Sequence, residues 1–456
     1  MCMGSFEQRV ATIQHLLILI GEVVHTLSFM GINKLIDTLL FERRCQIMTN
    51  ILYVGIDVSK NTNVVYIMLP NGKKHSEFSV DNSLYGARLI AKSVVQVLKR
   101  RKIKCTYFGL EATSVYGKNL IYFLNEEESL KPFNHKVFEL NPQQVSKFKE
   151  SYSDLPKNDF IDAFIIADCL RFGRINKSAY TTDYKYDALK QLTRARFSLI
   201  GLLVKEKITF LNHLFLKYSS LTQTKVFSNT FGSTAMSIYN DFDSVDTLAM
   251  MDLHELTNHI NRVGKNRFAN PEELTKAIKK AIRSSYRLPK TVNDSNNQVL
   301  AISKSTMDSL ESQISILDEH IANLIELIPN TLRSIKGIGP VYQAGIIAEI
   351  GDIDRFKNQG SLAKYAGLIW KQHQSGPYES ENTHSIHSGN RYLKYYLIQA
   401  AFSLLRCDKE FKRYYSSKYK EVKIGNHKRA LALTARKFVR VVFHLLKNKQ
   451  LYMPRK

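Results

Sequence analysis

The sequence predicts an α/β domain near the N-terminus followed by a longer, mainly helical remainder. Three observations carry this. Residues 51 to 110 hold four short β-rich runs with one segment of helical period among them. Residues 307 to 328 carry an apolar repeat spaced three and four apart, and the last 56 residues combine apolar helical periodicity with dense positive charge.

Ile51 to Val58 opens the α/β part as an apolar strand, Val64 to Leu69 is a second, and Asn71-Gly72 is a hairpin turn leading into a third from His75 to Val80. From Ser83 to Arg101 the period changes: Ala87, Ile90, Ala91, Val94, Val97 and Leu98 share one helical face. A fourth strand from Ile103 to Leu110, a helix around Tyr116 to Leu124 and a short strand from Lys136 to Leu140 follow. A helix containing Asp159 to Arg171 closes the unit near residue 173.

Residues 174 to 328 read as a helical linker. Leu189 to Tyr218 is a long amphipathic piece, and Phe227 to Asn297 is polar and less ordered in pattern. Met307, Leu310, Ile314, Leu317, Ile321, Leu324 and Ile328 then form a heptad seam, predicting a coiled coil within the chain or between protomers. Pro329 ends that helix. Leu332 to Pro340 leads into an apolar helix from Val341 to Ile350 and resembles a helix-hairpin-helix element, in which Lys336, Gly337 and Gly339 could hold a nucleic-acid phosphate on backbone N–H groups.

Charge narrows the class of partner. The 456 residues carry 65 lysines and arginines against 41 acids, a net of +24 that favours a polyanion. From Ala401 onward there are 16 basic residues against 3 acids. On a helix from Lys428 to Lys447, the side chains of Arg429, Arg436, Arg440 and Lys447 project within roughly 40° of one another, opposite Leu431, Ala435, Phe438, Val442 and Leu445. That apolar face lacks tryptophan and reads as core packing, so the ridge is assigned to phosphates and not to a membrane. The apolar stretch from His15 to Phe41 is interrupted by Glu22, Lys34 and Asp37, too often for a spanning helix. No export signal is evident, which makes the cytoplasm the expected location. Met48-Thr49-Asn50 looks like the start of the compact domain, so residues 1–47 are either a helical appendage or the product of an upstream start codon, with the second slightly favoured. The five cysteines are scattered and form no CxxC pair, which argues against disulfides and a cysteine zinc site.

Four acids stand where chemistry would place them. Asp57 ends the first strand, Glu111 follows the fourth, and Asp159 and Asp162 lie three apart on one helix face. Carboxylates gathered from two strand ends and a helix repel unless hard cations neutralise them, which is the logic of a two-metal phosphoryl-transfer centre. Strand order and acid placement resemble the RNase H-like fold and its RuvC-like nucleases. The actin and sugar-kinase group also begins with a strand ending in aspartate, but Val58-Ser59-Lys60-Asn61 supplies no glycine-rich phosphate loop.

Five motifs then occur in one order: Gly55 to Lys60, Gly109 to Thr113, Lys157 to Ala163, the Ile335 to Pro340 hairpin and Ser388-Gly389-Asn390-Arg391. The series is similar to the DEDD transposases of the insertion sequence 110 family, over about residues 48 to 456. The resemblance implies a RuvC-like domain (48–173), a helical and coiled-coil linker (174–328) and a mainly α C-terminal transposase domain (329–456) with a helix-hairpin-helix element. It implies that Asp57, Glu111, Asp159 and Asp162 bind Mg²⁺, or Mn²⁺ in its place, that Ser375 is the nucleophile and that Arg391 belongs to the nucleic-acid surface. It also implies donor and target DNA, a structured bridge RNA that guides recombination, and a homo-oligomer, dimer or tetramer. Gln374-Ser375-Gly376-Pro377 is a polar loop suited to exposing a hydroxyl, with Ser380, Ser385 and Ser388 as competitors. Two other functions fit less of the sequence: a metal-dependent, junction-resolvase-like nuclease would not need the serine or the basic C-terminus, and a non-catalytic nucleic-acid scaffold would not need the four acids.

Overall fold

The computed structural model describes residues 50–112, 115–152, 156, 158–173, 183–370, 374–375, 378–379, 389–421 and 426–454. The extension 1–47 and Ser380, Ser385 and Ser388 lie outside the described residues. The chain divides into two compact units between residues 182 and 183.

The first unit is built on a five-stranded sheet: β1 (Ile51–Val58), β2 (Thr62–Met68), β3 (Lys74–Asp81), β4 (Cys105–Glu111) and β5 (Asn134–Leu140). The order is β3-β2-β1-β4-β5, with β2 antiparallel to both neighbours and β1, β4 and β5 mutually parallel. This mixed sheet is consistent with an RNase H-like domain. Between the strands run α1 (Leu84–Arg101) and α2 (Lys118–Glu126), and α3 (Pro142–Lys149) and α4 (Asp159–Arg171) follow β5. Alternation along each strand sorts its residues between two cores. Leu52, Val54, Ile56, Val65, Ile67, Phe108 and Leu110 pack with Ile90, Val94 and Leu98 of α1 and Leu120 and Leu124 of α2. Ile51, Tyr53, Val64, Tyr66 and Met68 pack with Ile165, Ile166 and Leu170 of α4.

The second unit begins with α5 (Tyr184–Lys217, 34 residues) and includes the slightly longer α11 (Lys290–Glu326, 37 residues). Cross-contacts fix their direction: Arg196 meets Asp318, Lys207 meets Glu311 and His213 meets Asn296, so the helices run antiparallel. The heptad seam is therefore used within the chain, with Met307, Ile314 and Ile321 fully buried. Between these helices lie α6 (Ser219–Gln223), α7 (Ser233–Asn240), α8 (Val245–Met250), α9 (Leu253–Gly264) and α10 (Pro271–Arg283). The polar pattern of 227–297 is thus not loop: short amphipathic helices bury Ile238, Leu248, Leu256, Ile260, Ile278 and Ile282 in one core with Phe210 and Leu214 of α5. The signal is weak in α6, α7 and α8, which are only five to eight residues long, while α9 and α10 bury residues four apart, Leu256 with Ile260 and Ile278 with Ile282.

The remainder comprises α12 (Pro340–Ile350), α13 (Gln359–Tyr365), the two-residue strands β6 (Gln374–Ser375) and β7 (Tyr378–Glu379), α14 (Arg391–Cys407), α15 (Lys409–Lys420) and α16 (Asn426–Asn448). Ile346, Leu362, Leu397, Leu404, Phe438 and Val442 form its core, joined by Leu189 of α5 and Ile321 and Ile325 of α11. Among the described residues no helix is long and apolar enough to cross a membrane.

Candidate active site

Two glycine-x-acid pairs set the geometry. In a strand, residues two apart face the same side, so Gly55 and Asp57 of β1 share a face, as do Gly109 and Glu111 of β4. That face carries α4. A Cβ on Gly55 would stand 2.0 Å from the Ala163 carbonyl oxygen and 2.5 Å from the Ala167 nitrogen. One on Gly109 would meet Ile166 and Leu170 at 2.9 Å. The glycines let α4 lie directly on the sheet, and its first turn then carries Asp159 and Asp162 to the strand ends. Asn158 starts the helix there, its side chain accepting from the Phe160 N–H at 2.9 Å.

The result is a crowded carboxylate cluster. Carboxylate oxygens of Asp57, Asp159 and Asp162 all lie within 4.8 Å of one another. Partial burial, together with the charges of Asp162 and Asp159, raises the proton affinity of Asp57, against the pull of the Val58 N–H and Lys149. Glu111 is pushed up to about 7 by burial and by Asp57 and Asp162. Among the described residues, the cation paired with the cluster is Lys149, whose Nζ is 2.6 Å from Asp162 Oδ1. An all-oxygen donor set with more negative charge than one ammonium can balance fits a hard divalent cation.

Lys149 is the component that sequence reasoning missed, because no element was assigned between Leu140 and Asp159 and α3 lies there. Its signal was present: Asn141 caps the helix and Pro142 occupies its first turn.

Two sequence families match this chain. The IS110 DEDD transposase pattern matches residues 54–218, and that of the IS116/IS110/IS902 transposase family matches residues 330–416, together more than half the sequence. The chain belongs to the IS110/IS116 family of transposases. It is similar to an uncharacterized 44.8 kDa protein of insertion element IS116 from Streptomyces clavuligerus, at 25% identity over 320 residues, 68% of this chain and 76% of the relative. It is also similar to a probable family 20 transposase from Pseudomonas aeruginosa, at 28% identity over 106 residues, 23% of this chain and 31% of that protein.

All four acids of the transposase fall within the first match, and Lys336, Gly337, Gly339, Ser375 and Arg391 fall within the second. Ser375 lies on β6, paired antiparallel with β7 so that it stands opposite Tyr378. The hairpin glycine Gly337 has φ +94°, and a Cβ there would meet Cys407 Sγ at 2.7 Å. Gly339 is exposed, caps α12 without a side chain and has open space in front of it. Upstream of the hairpin stands only a single 3₁₀ turn, Leu332–Ser334, so the element is shorter on that side than a helix-hairpin-helix.

The basic ridge is less free than its spacing implied. Arg429 is paired with Glu421 at 2.9 Å and Lys447 with Asp354 at 2.5 Å. Arg436 is half-buried, with Nη1 lacking a partner among the described residues, and Arg440 is exposed. Arg391 is exposed and lies over the Tyr392 ring at 4.9 Å. Beside it, Glu349 is fully buried and holds three donors: Arg194 Nε at 2.6 Å, Arg194 Nη2 at 2.9 Å and Asn390 Nδ2 at 2.6 Å. A lone acid inside the apolar run of α12 was the visible signal for this network.

Proposed function

We propose that this transposase cuts, exchanges and rejoins DNA strands, using Asp57, Glu111, Asp159 and Asp162 to hold Mg²⁺ or Mn²⁺ and Ser375 as nucleophile. The observation that carries the reading is the convergence of three carboxylates within 4.8 Å, with Glu111 pushed up to about 7 by burial and by the charges of Asp57 and Asp162. A bound divalent ion would supply Lewis-acid stabilisation of phosphate oxygens. Lys149 holds Asp162 in place and offsets part of the cluster's charge. The serine step forms a bond from its Oγ to phosphorus and breaks the phosphorus–oxygen bond to the departing strand, whose end takes up a proton. The bond energy is conserved in the protein–DNA linkage, so rejoining needs no ATP. Family membership supports a structured bridge RNA as guide, donor and target DNA as substrates, and a dimer or tetramer as the working assembly. The excess charge and the exposed Arg440 and Gly339 support nucleic-acid binding in the second unit.

The test compares Asp57→Asn, Glu111→Gln, Asp159→Asn, Asp162→Asn and Ser375→Ala with the parent. The acid variants should lose strand cleavage and keep nucleic-acid binding. Ser375→Ala should lose the covalent DNA adduct seen on denaturing gels. Wild-type cleavage in every acid variant would defeat the metal reading. Cleavage by the parent with no adduct would instead favour a resolvase-like hydrolase.

A further inference from the structure

Beside the strand ends that carry Asp57 and Glu111, on the opposite face of the sheet, lies a cavity of about 410 Å³. Its walls include Lys60, Asn82, Val115, Tyr116, Asn119 and Phe123. Chain connectivity ties it to the acids. Lys60 comes three residues after Asp57, at most about 11 Å along an extended chain, and Val115 comes four after Glu111.

Its composition is that of a site for a flat, partly polar ring. Tyr116 and Val115, both lining the cavity, are 43% and 76% exposed. Asn119 makes no hydrogen bond through its side chain among the described residues, and its amide offers both donor and acceptor. Lys60 is exposed and has no acidic partner among the described residues. The cavity is also braced. Asn82 Nδ2 donates to the Ser59 carbonyl at 2.9 Å and the Tyr116 carbonyl at 3.3 Å, tying the β1–β2 turn to the segment after β4. Asn63 in turn donates to Asn82 Oδ1 at 3.3 Å. Asn63 is 1% exposed and its Oδ1 has no partner among the described residues, leaving a buried acceptor one hydrogen bond from the cavity. Such an acceptor is costly unless something donates to it.

We infer that this cavity receives an unstacked nucleobase of the DNA strand beside the phosphate presented to the acids. Tyr116 stacks on the base, Asn119 reads its polar edge and Lys60 meets the adjoining phosphate. Apolar walls with a few placed polar groups suit a base, and stacking on an aromatic ring binds any base while an amide discriminates among them. The inference rests on the proposed DNA chemistry and adds the subsite that sets strand position.

The experiment uses the full chain and a short oligothymidylate carrying one 5-iododeoxyuridine, irradiated without divalent metal, with cross-links mapped by mass spectrometry. Mg²⁺-dependent strand cleavage is measured in parallel. The expected result is a cross-link within the peptide spanning Tyr116 to Phe123. Tyr116→Ala should reduce its yield about tenfold and raise KM for cleavage by a similar factor, whereas Tyr116→Phe should preserve both. Lys60→Gln should weaken the cross-link and flatten its salt dependence. Cross-links confined to other segments, or a Tyr116→Ala protein with parental KM, would overturn the inference. Loss of cleavage in the parent with the cross-link intact would strike the acid-site reading and leave the base subsite standing.

Discussion

Gly55→Ala tests whether the acid cluster depends on how closely α4 approaches the sheet. The added methyl would lie 2.0 Å from the Ala163 carbonyl oxygen, and ordinary contact begins near 3.4 Å, so 3.4 − 2.0 = 1.4 Å must be recovered. The opposing atoms are backbone, which cannot rotate away, so the helix itself must shift. Overpacking of this kind costs about 1–3 kcal/mol, and the rigid neighbours place this case at the upper end. For a unit of this size that is a fall in Tm of roughly 10 °C. Asp159 and Asp162 ride on the displaced helix, and a misplacement of about 1 Å can cost on the order of a hundredfold in rate. Gly109→Ala is the internal control: its methyl meets the side-chain tips of Ile166 and Leu170 at 2.9 Å, which can turn aside, so a loss of about 1 kcal/mol is expected. Calorimetry and cleavage kinetics on both variants decide the matter. A Gly55→Ala protein that unfolds and cuts like the parent would refute the close-packing account.

Three further outcomes are expected. Glu111 keeps its proton up to about 7 in the fold but only to about 4.5 in the unfolded chain, so in chelator the first unit should lose stability as pH rises between those values and level off above; Mg²⁺ should reverse the trend, and Glu111→Gln should flatten it in thermal melts. Within the basic ridge, Arg440→Gln should lower the slope of log affinity against log salt by about 0.7–0.9, while Lys447→Gln, already paired with Asp354, should change it less; an unchanged slope in Arg440→Gln would place the contacts elsewhere. Arg194→Leu should destabilise the second unit by roughly 3 kcal/mol, because the buried Glu349 carboxylate would keep only its Asn390 donor, and an unchanged melting curve would show that the network is not structural.

The acids were legible because strand alternation and the spacing of Asp159 and Asp162 are local rules, and the sheet merely brings local patterns together. The glycines beside them were not read as spacers, since which residue faces α4 depends on tertiary packing. Lys149 escaped because its helix, capped by Asn141 with Pro142 in the first turn, went unread. Of the helices between 219 and 289, α6, α7 and α8 are too short to show a period, whereas α9 and α10 carry one, Leu256 and Ile260 or Ile278 and Ile282 four apart, that went unread among their polar neighbours. In the basic ridge, the angular spacing was correct, but Glu421 and Asp354 are eight and ninety-three residues from their partners, and no helical wheel contains them.

The paired long helices of the second unit form an arm. Thirty-four residues of α5 reach about 51 Å, with Leu189 in the core formed by 332–445 at one end and Phe210 and Leu214 in the other core near the far end. The polypeptide leaves the arm at Lys217 and rejoins it at Lys290, and both residues line the same cavity, so departure and return are neighbours. An excursion that ends where it starts is a cassette. Its loops can lengthen without changing the register of the arm, while its helices must stay, because they close the core around Phe210 and Leu214 at the arm's far end.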